Sequence, residues 1–276
     1  MEELGVQTRE LPHPPSLTHR ALNDEAAGCA KMGVVLTLAR SVSERGELTL
    51  LRRPDGALEL RVNGLFAMDT AETSSERLLA SATIDVTVRD RPEADTPLRV
   101  LVGGLGLGFT VAALLDDPRV ERVVVVEIEA DLVRWHRSGV VPPPRGESAG
   151  TDGGLLDDPR LDVVVGDVRG VIAEQSRSAY DVVLLDVDNG PGFLLYDANA
   201  EIYREPFLRE CAAGLRPGGA VAIWSASEAT TLATAMGAVF ATTDVRAVPV
   251  TLNDRQTHYH LYVGRTPNED GARRAG

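Results

Sequence analysis

Residues 99–108, Arg-Val-Leu-Val-Gly-Gly-Leu-Gly-Leu-Gly, are followed at 122–129 by Arg-Val-Val-Val-Val-Glu-Ile-Glu. An apolar run that ends in a glycine cluster reads as a buried parallel strand turning sharply into a helix, with backbone N–H groups left free to face a ligand. The second run ends in Glu127, about 20 residues further on, where a strand-tip carboxylate can accept hydrogen bonds from both hydroxyls of a ribose. Either half alone also fits a plain turn or a solvated strand cap. Together they predict a nucleoside-binding α/β domain, with Gly103, Gly104, Gly106, Gly108, Glu127 and Ile128 as its first cofactor contacts.

The alternation downstream agrees. Strands are expected near 98–103, 121–127, 161–165, 180–186 and 219–225 with helices between them, a pattern that builds a parallel sheet covered on both faces. Val245–Val250 and His258–Val263, separated by a polar turn, read as an antiparallel hairpin closing the sheet edge. Leu114–Val120 nearly repeats at Leu155–Leu161, which is the same helix-exit turn used twice. Residues 141–154 are rich in Pro and Gly and read as a surface loop.

Ahead of this domain, Val34–Ala39, Gly46–Arg52 and Ala57–Val62 have strand character, with an Arg-Pro-Asp-Gly turn at 53–56. Ser74, Ser75 and Glu76 then open a helix running to about Thr83. The expected organisation is a loose segment at 1–32, a small β-rich domain with a helix at 33–92, the nucleoside-binding domain at 93–265 and a flexible tail at 266–276.

The chain has 276 residues, 43% of them hydrophobic, and a formal net charge of −13. That charge argues against nucleic acid or an anionic membrane as partner and leaves room for a cationic substrate. Cys29 and Cys211 are too few for a disulfide framework or a thiolate zinc site. No apolar stretch approaches a membrane span, and the start lacks a basic region followed by an apolar one, so a cytoplasmic protein is expected.

Two further strand ends carry carboxylates. In Val-Val-Val-Gly-Asp-Val, Gly166, Asp167 and Val168 are placed to hold adenine, the Asp167 side chain accepting from the amino group and the next N–H donating to the ring; the alternative is a helix N-cap. In Leu184-Leu185-Asp186-Val187-Asp188-Asn189-Gly190-Pro191-Gly192, a buried strand delivers two acids and an amide to the edge where open α/β sheets bind ligands. Asp186 and Asp188 could hold a substrate ammonium and accept its proton, provided that they stay ionised as an unperturbed Asp near pKa 3.9 would. Otherwise they cap the turn that follows. Phe193–Tyr196 reads either as core or as a lid over the acceptor, and Tyr196 and Asn189 join Asp188 as candidate substrate contacts. Trp135 and His136 pack on the helix after Glu127 or flank adenine, while Trp224 and Ser225 end the fifth strand of the domain beside the pocket. His258 and His260 face one side of a strand with no third ligand, so no metal site is expected.

On these motifs, residues from about 46 to 263 resemble the spermidine-synthase-like branch of the S-adenosylmethionine-dependent methyltransferase fold. The resemblance implies a seven-stranded Rossmann-like sheet beside a small antiparallel β domain, with Glu127 on the ribose, Asp167 on the adenine and Asp186 near the reacting amine. Polyamine-forming members carry an Asp within the glycine loop, where this chain has Gly106, and a Tyr-Gln pair where it has Ser74-Ser75. After the acid that ends the fourth strand they place a further Asp, where this chain offers Asp188 or Asn189 in a differently spaced loop. Removing an acid beside the methionine tail makes room for a donor that keeps its carboxylate. The expectation is therefore methyl transfer from intact S-adenosylmethionine to a small amine. The alternatives are aminopropyl transfer from decarboxylated S-adenosylmethionine, a nicotinamide-dependent oxidoreductase and a non-catalytic nucleoside-binding protein. A homodimer formed through the β-rich domain is also implied.

Overall fold

The computed structural model describes residues 33–89, 97–144, 154–175, 178–252 and 255–266. The expected N-terminal segment, the tail beyond Thr266, Cys29, the boundary near 92 and most of the Pro/Gly-rich loop lie outside the described residues.

Two sheets form. The first is four-stranded, in the order β1 (Leu36–Ser43), β2 (Gly46–Arg52), β3 (Leu58–Val62) and β4 (Leu65–Asp69), all antiparallel. Its last strand was not expected, although Asn63-Gly64 announces it: both residues have positive φ (53° and 78°), as a two-residue hairpin turn matching the strand twist requires. Helix α1 (Ser74–Arg89) follows and runs six residues past the expected Thr83. Its second half, Thr83-Ile84-Asp85-Val86-Thr87-Val88, is rich in β-branched residues that disfavour helix. Burial overrides that preference, and the hydroxyls of the fully buried Thr83 and Thr87 donate back to the carbonyls of Leu79 (2.6 Å) and Thr83 (2.8 Å).

The second sheet contains β5 (Leu98–Gly103), β6 (Val120–Glu127), β7 (Leu161–Val165), β8 (Tyr180–Leu185), β9 (Leu215–Ser225), β10 (Thr242–Leu252) and β11 (Arg255–Arg265). Their spatial order is β10-β11-β9-β8-β5-β6-β7. The five strands from β9 to β7 are parallel, whereas β11 runs antiparallel to β9 and pairs with β10 as the expected hairpin. Strand β9 starts four residues earlier than its apolar run because Leu215 pairs with Tyr180 before a register shift restores pairing at Ala220. The seven-stranded sheet and the accessory four-stranded sheet are as the sequence led one to expect.

Helices α2 (Phe109–Asp116), α3 (Ala130–Arg137), α4 (Val168–Glu174), α5 (Glu205–Gly214) and α6 (Thr230–Val239) complete the fold. Alternate residues of β5 face opposite layers: Val100 and Val102 join α1 and α2, while Leu101 joins α4, α5 and α6. A sheet buried on both faces needs this continuous apolar strand composition. A third cluster packs Leu48, Leu50, Leu58, Leu60 and Val62 of the small sheet on Leu107, Phe109 and Leu132. The small sheet thereby roofs the carboxyl edge of the large one. Strand order reverses between β5 and β8, the switch point where ligands bind in open α/β sheets. No helix among the described residues is long and apolar enough to cross a membrane.

At the opposite end of β8, the fully buried Asp181 accepts from the Arg99 backbone N–H at 2.8 Å and from Arg216 at 3.2 Å. Asp181→Ala should cost about 2–3 kcal/mol by urea denaturation, less than a broken, fully buried pair would because Arg216 is one-third exposed (34%).

Candidate active site

The glycine loop is held by its neighbours rather than left open. Gly104 has φ +92°, and a Cβ there would lie 2.2 Å from the Asp186 carbonyl oxygen, so only glycine lets the loop pass the tip of β8. Its N–H donates to the Val126 carbonyl (2.9 Å), that of Leu105 to the Glu127 carboxylate (2.9 Å), and that of Gly108 to the Leu105 carbonyl (2.9 Å). The Leu107 N–H meets the Met68 sulfur at 3.1 Å. The free N–H groups expected from the sequence are thus already engaged, because the loop closes on itself, on Glu127 and on the small sheet. His136 adds support from α3, its Nε2 lying 2.8 Å from the Gly106 carbonyl oxygen, and burial lowers its pKa.

Glu127 is buried (6% exposed), its second carboxylate oxygen accepting from the Glu129 N–H at 2.8 Å. Burial raises its pKa and these backbone donors oppose the rise. It lines a cleft of about 940 Å³, open mouth included, together with Ile128, Gly166, Asp167, Val168, Gly104, Gly106, Asp186, Asp188 and Tyr196. The three strand-end acids Glu127, Asp167 and Asp186 therefore share one cavity.

Gly103, Gly108 and Asn189 do not reach its wall. Gly103 ends β5, its carbonyl accepting from the Asp186 N–H (2.9 Å); Gly108 starts α2 with φ +89°. Asn189 turns away from the cleft and donates to the Phe66 carbonyl (2.8 Å), tying the acidic loop to β4.

Six carboxylates line the cleft: Glu76, Glu127, Glu129, Asp167, Asp186 and Asp188. Two have cationic partners. Asp167 accepts from both the backbone and the guanidinium of Arg169 and caps α4, and Arg169 lowers its pKa. Asp167 is thus a helix cap that also faces the cavity. Glu129 accepts from Arg45 (2.8 Å), in the β1–β2 turn, and from the Tyr196 hydroxyl (2.9 Å).

The others lack such neutralisation. Asp186 accepts from the Thr110 hydroxyl at 2.8 Å, and burial raises its pKa against that bond. Asp188 accepts from the Leu195 N–H (2.8 Å) and the Tyr203 hydroxyl (3.4 Å), yet burial still pushes it to about 6. The two do not behave as unperturbed aspartates; in so dry a setting they await a cation. Glu76, on the first turn of α1 and 8% exposed, was missed as a site residue. Burial and then the Asp186 charge push it to about 7. Its only sequence signal was a helix start; which wall that start faces depends on the tertiary fold. Met68 and Glu129 were missed for the same reason.

The 193–196 run is both core and cover. Leu194 packs on the α5 layer, Leu195 and Tyr196 pack under the small sheet while lining the cleft, and Phe193 is 46% exposed. Trp224 also lines the cleft, edge-on to Tyr259 (centroids 4.8 Å apart), with its indole N–H buried and without an acceptor.

The wound sheet with its antiparallel terminal hairpin, the strand-tip Glu127 and the small sheet above the cleft define a class, the S-adenosylmethionine-dependent methyltransferase-like Rossmann fold. Within that class, residues 88–246 match the spermine/spermidine synthase domain, and the chain belongs to this family. It is 33% identical over 141 residues to polyamine aminopropyltransferase 2 of Pseudomonas aeruginosa, covering 47% of this chain and 34% of that one. It is 29% identical over 127 residues to putrescine N-methyltransferase 4 of Nicotiana tabacum, covering 45% and 29%. The chain thus spans about a third of the length of the curated relatives it matches. The crystal structure of spermidine synthase from Thermotoga maritima superposes with a TM-score of 0.65 at 17% identity, over 84% of this chain and 74% of that one.

Asp188→Asn supplies a test of the buried acids. A folded pKa raised from 3.8 to about 6 means that stability falls as pH rises between those values. The variant, with its acceptor for Leu195 retained, should be more stable than the parent by on the order of 2 kcal/mol at pH 7.5 and no more stable below pH 4, as read from thermal melts across pH.

Proposed function

We propose that the protein is an alkyltransferase that moves an alkyl group from an S-adenosylmethionine-type sulfonium to a small polyamine, and that its donor is the decarboxylated form. The carrying observation is the charge of the cleft: six carboxylates line it, and no Arg, Lys or His is among the described residues of its wall. A donor with an intact methionine carboxylate would bring another anion without a cation to meet it. This reverses the preference drawn from Gly106. The loop acid is missing there, but Glu76 restores an anion from α1, and a side chain at 106 would meet the Met68 sulfur at 2.6 Å.

Glu127 is suited to accept from the ribose hydroxyls and Asp167 from the adenine amino group, both positioned before any ligand arrives. When bound, the donor supplies a carbon made electrophilic by the sulfonium. The protein's part is then orientation, exclusion of water and removal of a proton from the amine. Leu195 and Tyr196 cover the cleft, and Asp186 and Asp188 hold the acceptor's ammonium.

A second reading, N-methylation, is supported by the putrescine N-methyltransferases among the relatives and by Gly106. A cytoplasmic location and pairing of two copies through the small sheet, whose edge strands expose Val42, Leu65 and Phe66, complete the proposal.

Product analysis separates the two chemistries. Given putrescine, the protein should release methylthioadenosine from the decarboxylated donor at least ~10-fold faster than S-adenosylhomocysteine from intact S-adenosylmethionine, a difference of roughly 1.4 kcal/mol in barrier. The opposite ratio establishes methyl transfer.

A further inference from the structure

Resting on the alkyl-transfer reading, we infer that Glu76 forms a carboxylate pair with Asp186 and that Glu76 accepts the proton from the acceptor's ammonium. The two arrive from different elements, the first turn of α1 and the tip of β8, and both face the same buried cleft. Each has one hydroxyl donor: Ser75 gives a 2.7 Å bond to Glu76, and Thr110 a 2.8 Å bond to Asp186. A hydroxyl steadies a carboxylate without neutralising it.

Among the described residues, no cation lines the cleft wall with Glu76. Glu72 adds negative charge at the entry to α1, and Tyr259 on β11, pushed up to about 12 chiefly by burial, is raised further by the charges of Glu76, Glu72 and Asp69. Trp224 on β9 is an uncharged neighbour in the wall. Arg77, next in sequence, lies over the Phe109 ring at 5.7 Å rather than in the wall. Two buried carboxylates that face one cleft without a nearby cation resist ionising together, and a carboxylate raised toward neutrality can serve as base there. Glu76, at about 7, is suited to that task.

The proton count follows. Before an acceptor binds, the pair holds one proton. An ammonium brings a second positive charge to the same place, and one proton leaves to solvent. The proton left behind then moves from nitrogen to a Glu76 oxygen: the N–H bond breaks, its electrons stay on nitrogen, and the amine becomes neutral with a lone pair to attack. Asp186 remains ionised and holds the positive charge that develops on nitrogen.

Calorimetry of putrescine binding to the methylthioadenosine-loaded protein at pH 6.5, in buffers of different ionisation enthalpy, counts that released proton. The parent should release close to one proton and Glu76→Gln close to none, with methylthioadenosine affinity the same in both. Turnover of Glu76→Gln should fall by ~10²-fold or more and lose the acid limb of its pH profile. Equal proton release in the two proteins, or an unchanged acid limb, overturns the assignment and leaves alkyl transfer standing. Absence of every alkylated product in the parent overturns the alkyl-transfer reading, and the proton count still decides the pairing. If Glu76→Gln does not fold, Ser75→Ala decides: loss of its hydroxyl should move the acid limb to higher pH, and an unmoved limb counts against Glu76.

Discussion

A single buried carboxylate holds the cleft together. Glu127 ends β6, and its two oxygens take N–H groups from opposite sides, Leu105 in the glycine loop and Glu129 at the start of α3. Its backbone carbonyl accepts a third, from Gly166 at the tip of β7 (2.9 Å). Burying a carboxylate costs several kcal/mol, and hydrogen bonds to the charged form offset much of that cost. The result is one rigid unit made of three strand ends. Gly104 then has to pass against the Asp186 carbonyl, which fixes β8 and its acids relative to the same unit. The geometry for a nucleoside exists before the nucleoside does.

Charge is distributed unevenly around that frame. Where the cleft widens toward solvent, Arg45 and Arg169 neutralise Glu129 and Asp167. Toward α1 and β8, Glu76, Asp186 and Asp188 have uncharged donors: hydroxyls, backbone N–H groups and, at Asp188, the Asn199 side chain. The first zone suits an uncharged base and sugar. The second suits cations, and its burial makes each carboxylate dependent on one arriving. A sulfonium lies between the two zones by the nature of the molecule, adenosine on one side and the acceptor amine on the other. The separation of neutralised from unneutralised acids therefore matches the polarity of the proposed reaction, which a cleft of uniform charge would not do.

Local signals carried the large sheet and its acids. Val/Leu runs ending in glycine or acid are properties of neighbouring residues, so Glu127, Asp167 and Asp186 were legible at the strand tips where they lie, as was the terminal hairpin. Features set by distant contacts were not. The second half of α1 reads as strand by its β-branched residues, and only burial makes it helix. The free loop amides were misjudged because their partners, Met68 and the Glu127 carboxylate, lie 39 and 22 residues away in sequence. The ionisation of Asp186 and Asp188 depended on burial, a quantity that spacing does not contain. β4 was the exception: Asn63-Gly64 is a strong local hairpin signal that the weak apolar run after it obscured.

The small sheet is part of the site rather than an appendage, because Leu48, Leu60, Val62, Ala67 and Met68 form its wall. Met68 shows why this matters. Its sulfur lies 2.6 Å from where a Cβ at Gly106 would stand, so a side chain there would have to move Met68 and adopt a φ of +51°. An acid reaches the cleft from the start of α1, the helix that follows this sheet. Glu76 takes that place with Ser75 to support it. An acid on the helix rather than in the loop faces the same cleft as Asp186. On the proposed reaction, donor choice and proton removal depend on one residue pair, so a change at Met68, Gly106 or Glu76 is expected to reach both.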